Sequence, residues 1–180
     1  SSLVGSEMCI RDSINTGCRT DIPAFYAKWL MNRIREGYVL VRNPYNPNQV
    51  TKYNLSPEVV DCLAFCTKNP EPMLTYLDEL DMYKQYWFVT ITPYGKDIEP
   101  NVPDKKKIME SFKKLSNHIG VDAIGWRYDP IFIGNGFDVN KHIECFEKMA
   151  KELKGYTHNC TISFLAVSYT HLTLPTTSRV

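Results

Sequence analysis

Short apolar runs alternate with amphipathic segments along this chain, and each apolar run ends abruptly in polar residues. In the segment 59–73, the apolar run CLAF gives way to the polar triplet TKN and then to prolines. Such a unit predicts a buried strand, a loop and the start of a helix. Strands are predicted to start near residues 38, 62, 86, 123 and 160, with helices between most of them. Repeated units of this kind predict parallel strands joined by right-handed crossovers.

Both a doubly wound sheet and a (β/α) barrel are built from such units. Polar residues follow nearly every predicted strand, rather than only a pair at one switch point, which favours the barrel. A complete eight-stranded barrel takes about 250 residues, whereas this chain has 180. The expected fold class is therefore α/β: a truncated, partial (β/α) barrel with about six parallel strands.

Local signals place the other elements. Proline near the start and glycine after the end predict a helix over 24–36, and Asp104 and Gly120 bound a second helix. A third helix, over 138–153, is expected to turn Ile143 and Phe146 inward. Ser56 and the proline after it predict a one-turn helix, Asn69-Pro70 opens a helix to about residue 81, and 50–55 alternates like an exposed or edge strand.

The two ends of the chain differ from the part between them. Residues 1–13 and about 167–180 do not continue the strand and helix pattern. Both resemble translated sequencing-adaptor read-through, so we expect them to be disordered artefacts flanking one domain over 14–166. The alternative, that they are disordered native tails, leads to the same treatment: Cys9 and His171 are left out of the site.

Composition narrows the classes of partner. The net charge of +1 provides no general attraction for nucleic acid, so nucleic acid is not expected as a partner. No apolar run approaches the roughly 20 residues of a membrane span. The six cysteines come without a secretory signal, which predicts reduced thiols and a cytoplasmic location. The expected partner is a small anionic ligand; the oligomeric state is left open.

Candidate site residues follow from strand position, because ligands of α/β folds bind at the carboxyl ends of parallel strands. Four predicted strand ends carry cations, which favours phosphate, carboxylate or a nucleotide-like cofactor. The candidates are Arg19, Asp21, Arg42, Asn43, Lys68, Asn69, Tyr94, Lys96, Arg127 and Asp129. Asp21 and Asn69 equally suit helix N-caps before prolines, and Arg127 and Asp129 equally suit a structural ion pair.

Other constellations carry less chemistry. Cys62 and Cys66 share one face of a strand but lack a third partner, so we expect them to be core thiols. His142 and Cys145 lie one helical turn apart without a second pair of zinc ligands. His118 is expected to complement a helix C-terminus. No metal ligand set and no catalytic residue is assigned in this chain.

Four segments together resemble an uncharacterised bacterial group, the domain-of-unknown-function family 1848, over residues 18–165. They are CRTDIPAFYAKWLMNRIREGYVLVRNPYNPNQV, LSPEVVDCLAFCTKNPEPML, TPYGKDIEPNVPDKKKI and WRYDPI. The resemblance implies a radical-SAM-like enzyme: a partial barrel with an iron–sulfur centre held by cysteines near the C-terminus. This chain ends before that cysteine-rich segment, and Cys66 stands where the family has an aromatic residue.

The resemblance therefore implies a fragment of a radical-SAM-like enzyme whose barrel rim binds an anionic cofactor or substrate. A 4Fe–4S cluster and S-adenosylmethionine are implied for the full-length protein. Neither cofactor is expected to be bound to this chain, and the chain alone is expected to be inactive. The implied roles are anion binding by Arg19, Arg42, Lys68 and Arg127, orientation by Asp21 and Asp129, and stacking on a base by Tyr94. The alternative is a non-redox (β/α)-barrel binding protein or hydrolase for a phosphorylated ligand.

Overall fold

The computed structural model describes residues 12–17 and 20–165. The helices and strands are β1 (Asp12–Asn15), α1 (Ile22–Phe25), α2 (Ala27–Glu36), β2 (Tyr38–Arg42), β3 (Val50–Asn54), β4 (Val60–Thr67), a 3-10 helix (Glu71–Tyr76), α3 (Leu77–Leu80), β5 (Lys84–Thr90), α4 (Lys105–Ile119), β6 (Ile124–Ile131), α5 (Val139–Leu153) and β7 (Asn159–Phe164). The expected α/β class is confirmed.

Within the described part of the chain, five parallel strands form one sheet in the order β1-β4-β5-β6-β7. The strands of this sheet follow one another in chain order, as in the wall of a (β/α) barrel, and the order reversal of a doubly wound sheet is not seen among them. The sheet is open, and its architecture is consistent with a partial barrel.

The strand predicted near residue 38 does not belong to this sheet, so that placement was wrong. β2 pairs with β3 in a separate antiparallel hairpin. The backbone N–H of Asn43 donates to the carbonyl of Gln49 at 2.9 Å across the turn, so the chain returns on itself at once. Every residue of β3 is exposed, which agrees with the alternating pattern over 50–55.

One face of the parallel sheet packs against the helices and forms the core. Phe65 of β4 and Trp87 of β5 are fully buried and stack with ring centroids 4.1 Å apart. Trp126 of β6 stacks on Phe146 of α5 at 4.9 Å. Aromatic pairs between neighbouring strands and between strand and helix therefore pack in the core.

Two helix predictions need comment. Asp104 caps α4 by accepting from the backbone N–H of Lys106 at 2.9 Å, and Gly120 ends that helix, as predicted. Ile143 is 61% exposed, so its inward placement was wrong. The buried stripe of α5 runs through His142, Phe146, Met149 and Leu153, and Ile143 is rotated about 100° away from it.

Two short segments differ from their predicted helices. Ser56 begins a turn rather than a helix: its carbonyl accepts from the backbone N–H groups of Val59 and Val60 at 3.0 and 3.1 Å. β4 starts at Val60, two residues earlier than the predicted strand, which leaves no room for a helix. After Pro70, the predicted helix to about residue 81 is a 3-10 helix followed by the short α3.

Candidate functional site

The second face of the parallel sheet is open, since the helices pack on the other side. Alternate residues of the three central strands point to this open face: Cys62, Ala64 and Cys66 from β4, Tyr86, Phe88 and Thr90 from β5, and Gly125, Arg127 and Asp129 from β6. All of them except Gly125 are only partly buried. The face therefore offers both apolar and charged side chains to a ligand.

Arg127 extends across the open face at its carboxyl end. Its Nη1 donates to Sγ of Cys66, two strands away, at 3.9 Å. Its Nη2 forms an ion pair with Oδ2 of Asp129, and the hydroxyl of Ser163 in β7 donates to the other carboxylate oxygen. The Arg127 side chain is 33% exposed and that of Asp129 is 18% exposed. The guanidinium is thus oriented by protein contacts on two sides and stays accessible.

These contacts do not use all the donors of Arg127. A guanidinium carries five N–H groups, and the contacts to Cys66 and Asp129 take one from each terminal nitrogen. The remaining donors have no partner within residues 12–17 and 20–165. The guanidinium is therefore held in place by one carboxylate and can still donate hydrogen bonds to a second anion.

Aromatic rings lie on the same face, toward the amino ends of the strands. Tyr86 and Phe88 contact each other edge to face with centroids 4.8 Å apart. A side chain at Gly125 would place its Cβ 3.3 Å from the Tyr86 hydroxyl and 3.6 Å from the Phe88 ring. Glycine at this position therefore lets both rings lie over β6, beneath the end of the face that carries Arg127.

A buried carboxylate organises the loops beyond the strand ends. Glu99 is 9% exposed and forms ion pairs with both Lys68 and Lys105, while the Thr92 hydroxyl donates to it at 2.7 Å. Burial alone would raise the pKa of Glu99, but hydrogen bonds from Lys105, Lys68 and Thr92 outweigh it and hold that pKa below its ordinary value. The charge of Lys68 is thus already paired within the protein.

Asp21 caps α1, which agrees with its N-cap interpretation, whereas Asn69 lies one residue before Pro70, the N-cap of the 3-10 helix. Asp21 accepts from the backbone N–H of Ala24 at 3.0 Å and from that of Lys68 at 2.8 Å. Asn69 accepts from the backbone N–H of Glu71 at 3.2 Å. Asp21 therefore ties the start of α1 to the loop after β4.

Three other candidates lie in the hairpin and in the loop after β5. Arg42 and Asn43 are at the hairpin, where the Asn43 side chain donates to Gln49 at 2.7 Å. Lys96 donates to the carbonyls of Pro100, at 3.1 Å, and Val102 and so closes its own loop. Arg19 lies outside the described residues.

Tyr94 is an interior residue rather than a surface ring. It is 2% exposed, its hydroxyl donates to the carbonyl of Pro130 at 2.7 Å, and its ring stacks on Phe132 at 4.7 Å. Burial raises its pKa. With protein rings against it, Tyr94 supports the segment after β6 and does not offer a face to a base.

Arg42 contributes to the wall of a separate apolar cavity of about 490 Å³ between β1, α1, α2 and the hairpin. Trp29 and Leu30 of α2 and Leu63 of β4 also line it. Leu63 belongs to the helix-covered face of the sheet. The cavity is therefore distinct from the open face that carries Arg127.

Two residues that contact the Arg127–Asp129 ion pair were not predicted from the sequence. Cys66 is not in the core: it is partly exposed on the open face beside Arg127. Ser163 completes the contacts of Asp129 from the neighbouring strand. The period-two alternation within each strand predicts which residues share a face, but placing Cys66 near Arg127 also requires the strand order.

Both ring nitrogens of His142 form hydrogen bonds inside the protein. It is 6% exposed; its Nε2 donates to the carbonyl of Phe132 at 2.9 Å, and its Nδ1 lies 2.9 Å from the hydroxyl of Tyr128. Burial raises the pKa of Tyr128, which keeps that hydroxyl protonated. Both ring nitrogens are occupied, so His142 does not form a zinc pair with Cys145.

Fold and site together define an α/β protein with an open parallel sheet and an oriented arginine at the carboxyl end of its exposed face. A family model described as a domain of unknown function (DUF1848) matches residues 13–178, and the chain belongs to that family. No curated protein and no solved structure matches the chain. None of the helices in the described ranges is long and apolar enough to cross a membrane.

Proposed function

We propose that the open face of the parallel sheet binds a small anionic ligand and that Arg127 supplies its positive charge. The observation that carries the proposal is the position of Arg127: it lies at the carboxyl end of the strands, is one-third exposed and is oriented by Asp129. Ligands of parallel α/β sheets bind at this end. The unused guanidinium donors suit a phosphate or carboxylate group.

Asp129 is compatible with this role. The ion pair with Asp129 fixes the direction of the Arg127 guanidinium, and the hydroxyl of Ser163 donates to the same carboxylate. Asp129 therefore acts as a positioning residue that holds the guanidinium in one direction. The aromatic residues Tyr86 and Phe88 lie on the same face and give the ligand an apolar surface to cover.

The finer proposal, suggested by family membership, is a radical-SAM-like enzyme that binds S-adenosylmethionine at this rim. An iron–sulfur cluster needs cysteine ligands, and in the described part of the chain His, Cys, Asp and Glu side chains converge in threes only at Asp78, Asp81 and His118. The described residues thus do not fit a three-cysteine cluster, and we assign no step to one.

Two solution experiments separate this finer proposal from its alternative. Iron–sulfur reconstitution without oxygen, followed by a test for cleavage of S-adenosylmethionine, supports the radical enzyme if cleavage occurs. Release of phosphate from a phosphorylated ligand without iron supports the non-redox hydrolase. Stoichiometric binding with neither reaction supports a binding protein.

Arg127→Gln tests anion binding directly. The probes are inorganic phosphate, pyrophosphate and S-adenosylmethionine, and the measurement is the dissociation constant from titration calorimetry. A charge-assisted hydrogen-bonding group contributes about 2 kcal/mol, so we expect the best-bound probe to bind about 30-fold more weakly to the variant.

Lys107→Gln is the matched control, because it removes one positive charge from an exposed position of α4. We expect it to leave affinity unchanged. Equal affinity of the Arg127→Gln variant and the wild-type protein, or no binding of any probe to the wild-type protein, contradicts the proposal.

A further inference from the structure

A second cluster of ligating side chains lies at the opposite, amino-terminal edge of the parallel sheet. It consists of Asp78 in α3, Asp81 just after α3, and His118 in the last turn of α4. One ligand atom from each residue lies within 4.8 Å of the other two. Asp81 precedes β5 and His118 precedes β6, so this cluster is separate from the anion site at the carboxyl end.

His118 pairs with only one of the two carboxylates in this cluster. His118 Nε2 lies 2.8 Å from Oδ1 of Asp81, which leaves the Asp78 carboxylate beside a second carboxylate. The Asp78 side chain has no hydrogen bond or ion pair to any other residue in the described ranges. A cation between the two carboxylates would remove their mutual repulsion.

The surroundings favour a cation as well. The last four carbonyl groups of a helix lack partners within the helix and carry partial negative charge. His118 is the penultimate residue of the 15-residue helix α4, and its side chain is 28% exposed while that of Asp81 is 57% exposed. The cluster is therefore an exposed group of one nitrogen and two oxygen ligands at the negative end of a helix.

We propose that Asp78, Asp81 and His118 form a site for a divalent transition metal such as Zn²⁺. Zinc bonds to nitrogen and oxygen at about 2.0–2.2 Å, so ligands in tetrahedral geometry are about 3.3 Å apart. The three ligand atoms lie within 4.8 Å of one another, so a bound metal would draw them closer together.

An open depression of about 920 Å³ next to Asp81 and His118 leaves room for water to complete the coordination. The single imidazole favours zinc over calcium, which prefers ligands that are all oxygen. The bound metal would join α3 to the C-terminal end of α4, two elements that contribute Leu80 and Leu115 to the same core.

Titration calorimetry with Zn²⁺ on the full chain tests this site. We expect Asp78→Asn and His118→Ala each to weaken binding roughly 10-fold or more. We also expect Zn²⁺ to raise the melting temperature of the wild-type protein, because a ligand of the folded state stabilises it. Each of the three side chains is exposed or near the surface, so the variants are expected to fold, which circular dichroism checks.

His158→Ala is the matched control. His158 also contacts an aspartate, Asp122, at 2.7 Å on the surface. Among the described residues, no second carboxylate joins this pair to make a group of three ligands. We expect this variant to bind Zn²⁺ like the wild-type protein. Unchanged affinity after His118→Ala, or no measurable binding to the wild-type protein, overturns the proposal.

Cobalt absorption separates this site from binding by the cysteines. Co²⁺ bound to nitrogen and oxygen ligands gives weak visible bands, whereas thiolate ligation adds an intense near-ultraviolet charge-transfer band. We expect the weak bands alone, and we expect them to be lost in the His118→Ala variant. An intense thiolate band that survives this substitution overturns the proposal.

Discussion

Glu99→Gln is expected to lower the free energy of unfolding by about 3 kcal/mol, because breaking a buried charge pair leaves the partner charges uncompensated. Here two partners are affected: Lys68 and Lys105 both pair with Glu99, and the Thr92 hydroxyl donates to it. The amide presents one acceptor oxygen and places its NH₂ group beside a cation. Urea unfolding followed by circular dichroism measures the loss.

The same carboxylate predicts a pH dependence. The pKa of Glu99 in the folded protein is below the ordinary value of 4.5, so the unfolded state binds the proton more readily. The stabilisation is therefore complete above about pH 4.5 and is lost as the pH falls through the lower pKa of the folded state. We expect the difference in stability between the wild-type protein and Glu99→Gln to shrink over that acidic range.

Glu79→Gln serves as the comparison for Glu99. Glu79 pairs with Arg35 on the surface, where both side chains are about half exposed, and exposed ion pairs contribute little. We expect a much smaller loss of stability from this variant. Equal losses from the two variants would show that the buried network around Glu99 does not stabilise the loops.

Trp87→Ala is expected to cost about 4 kcal/mol, in the range measured when a buried tryptophan or phenylalanine is truncated. Trp87 is fully buried at the centre of the helix-covered face and stacks on Phe65. Its indole N–H donates to the side chain of Gln85 at 3.0 Å, so truncation also removes a hydrogen bond. The measurement is again the urea midpoint.

Trp29→Ala controls for the loss of an indole ring as such. Trp29 lies on α2 and is 44% exposed, so less apolar surface returns to water when its ring is removed. We expect the midpoint to fall far less than for Trp87→Ala. A similar fall for both would contradict the assignment of Trp87 to the core between sheet and helices.

The sequence predicts those features whose signals are local. Asp104 and Gly120 bound α4 because capping depends on residues within one helical turn. The capping role of Asp21 is likewise local, since Pro23 stands in the first turn of the helix that Asp21 caps. The apolar runs locate the parallel strands, because strands covered by helices on one side keep a strong apolar component.

Features that depend on pairing between distant segments cannot be predicted from local sequence patterns. The sequence pattern over Tyr38–Arg42 resembles that of the other predicted strands, yet this strand pairs with β3 and not with the parallel sheet. The partners of Glu99 are likewise set by the fold: the contact to Lys68 spans 31 positions. The contact between Cys66 and Arg127 spans 61 positions and crosses β5, so it becomes visible only once the strand order is known.

Protection of Cys66 from alkylation tests the central claim most directly, because its Sγ lies 3.9 Å from Arg127 Nη1. Peptide mass spectrometry gives the rate at which iodoacetamide modifies Cys66 and, as an internal reference, the exposed Cys160. With the best-bound anion at saturation, we predict slower modification of Cys66 and an unchanged rate at Cys160. An anion that binds the protein yet leaves the Cys66 rate unchanged would contradict a ligand site beside Arg127.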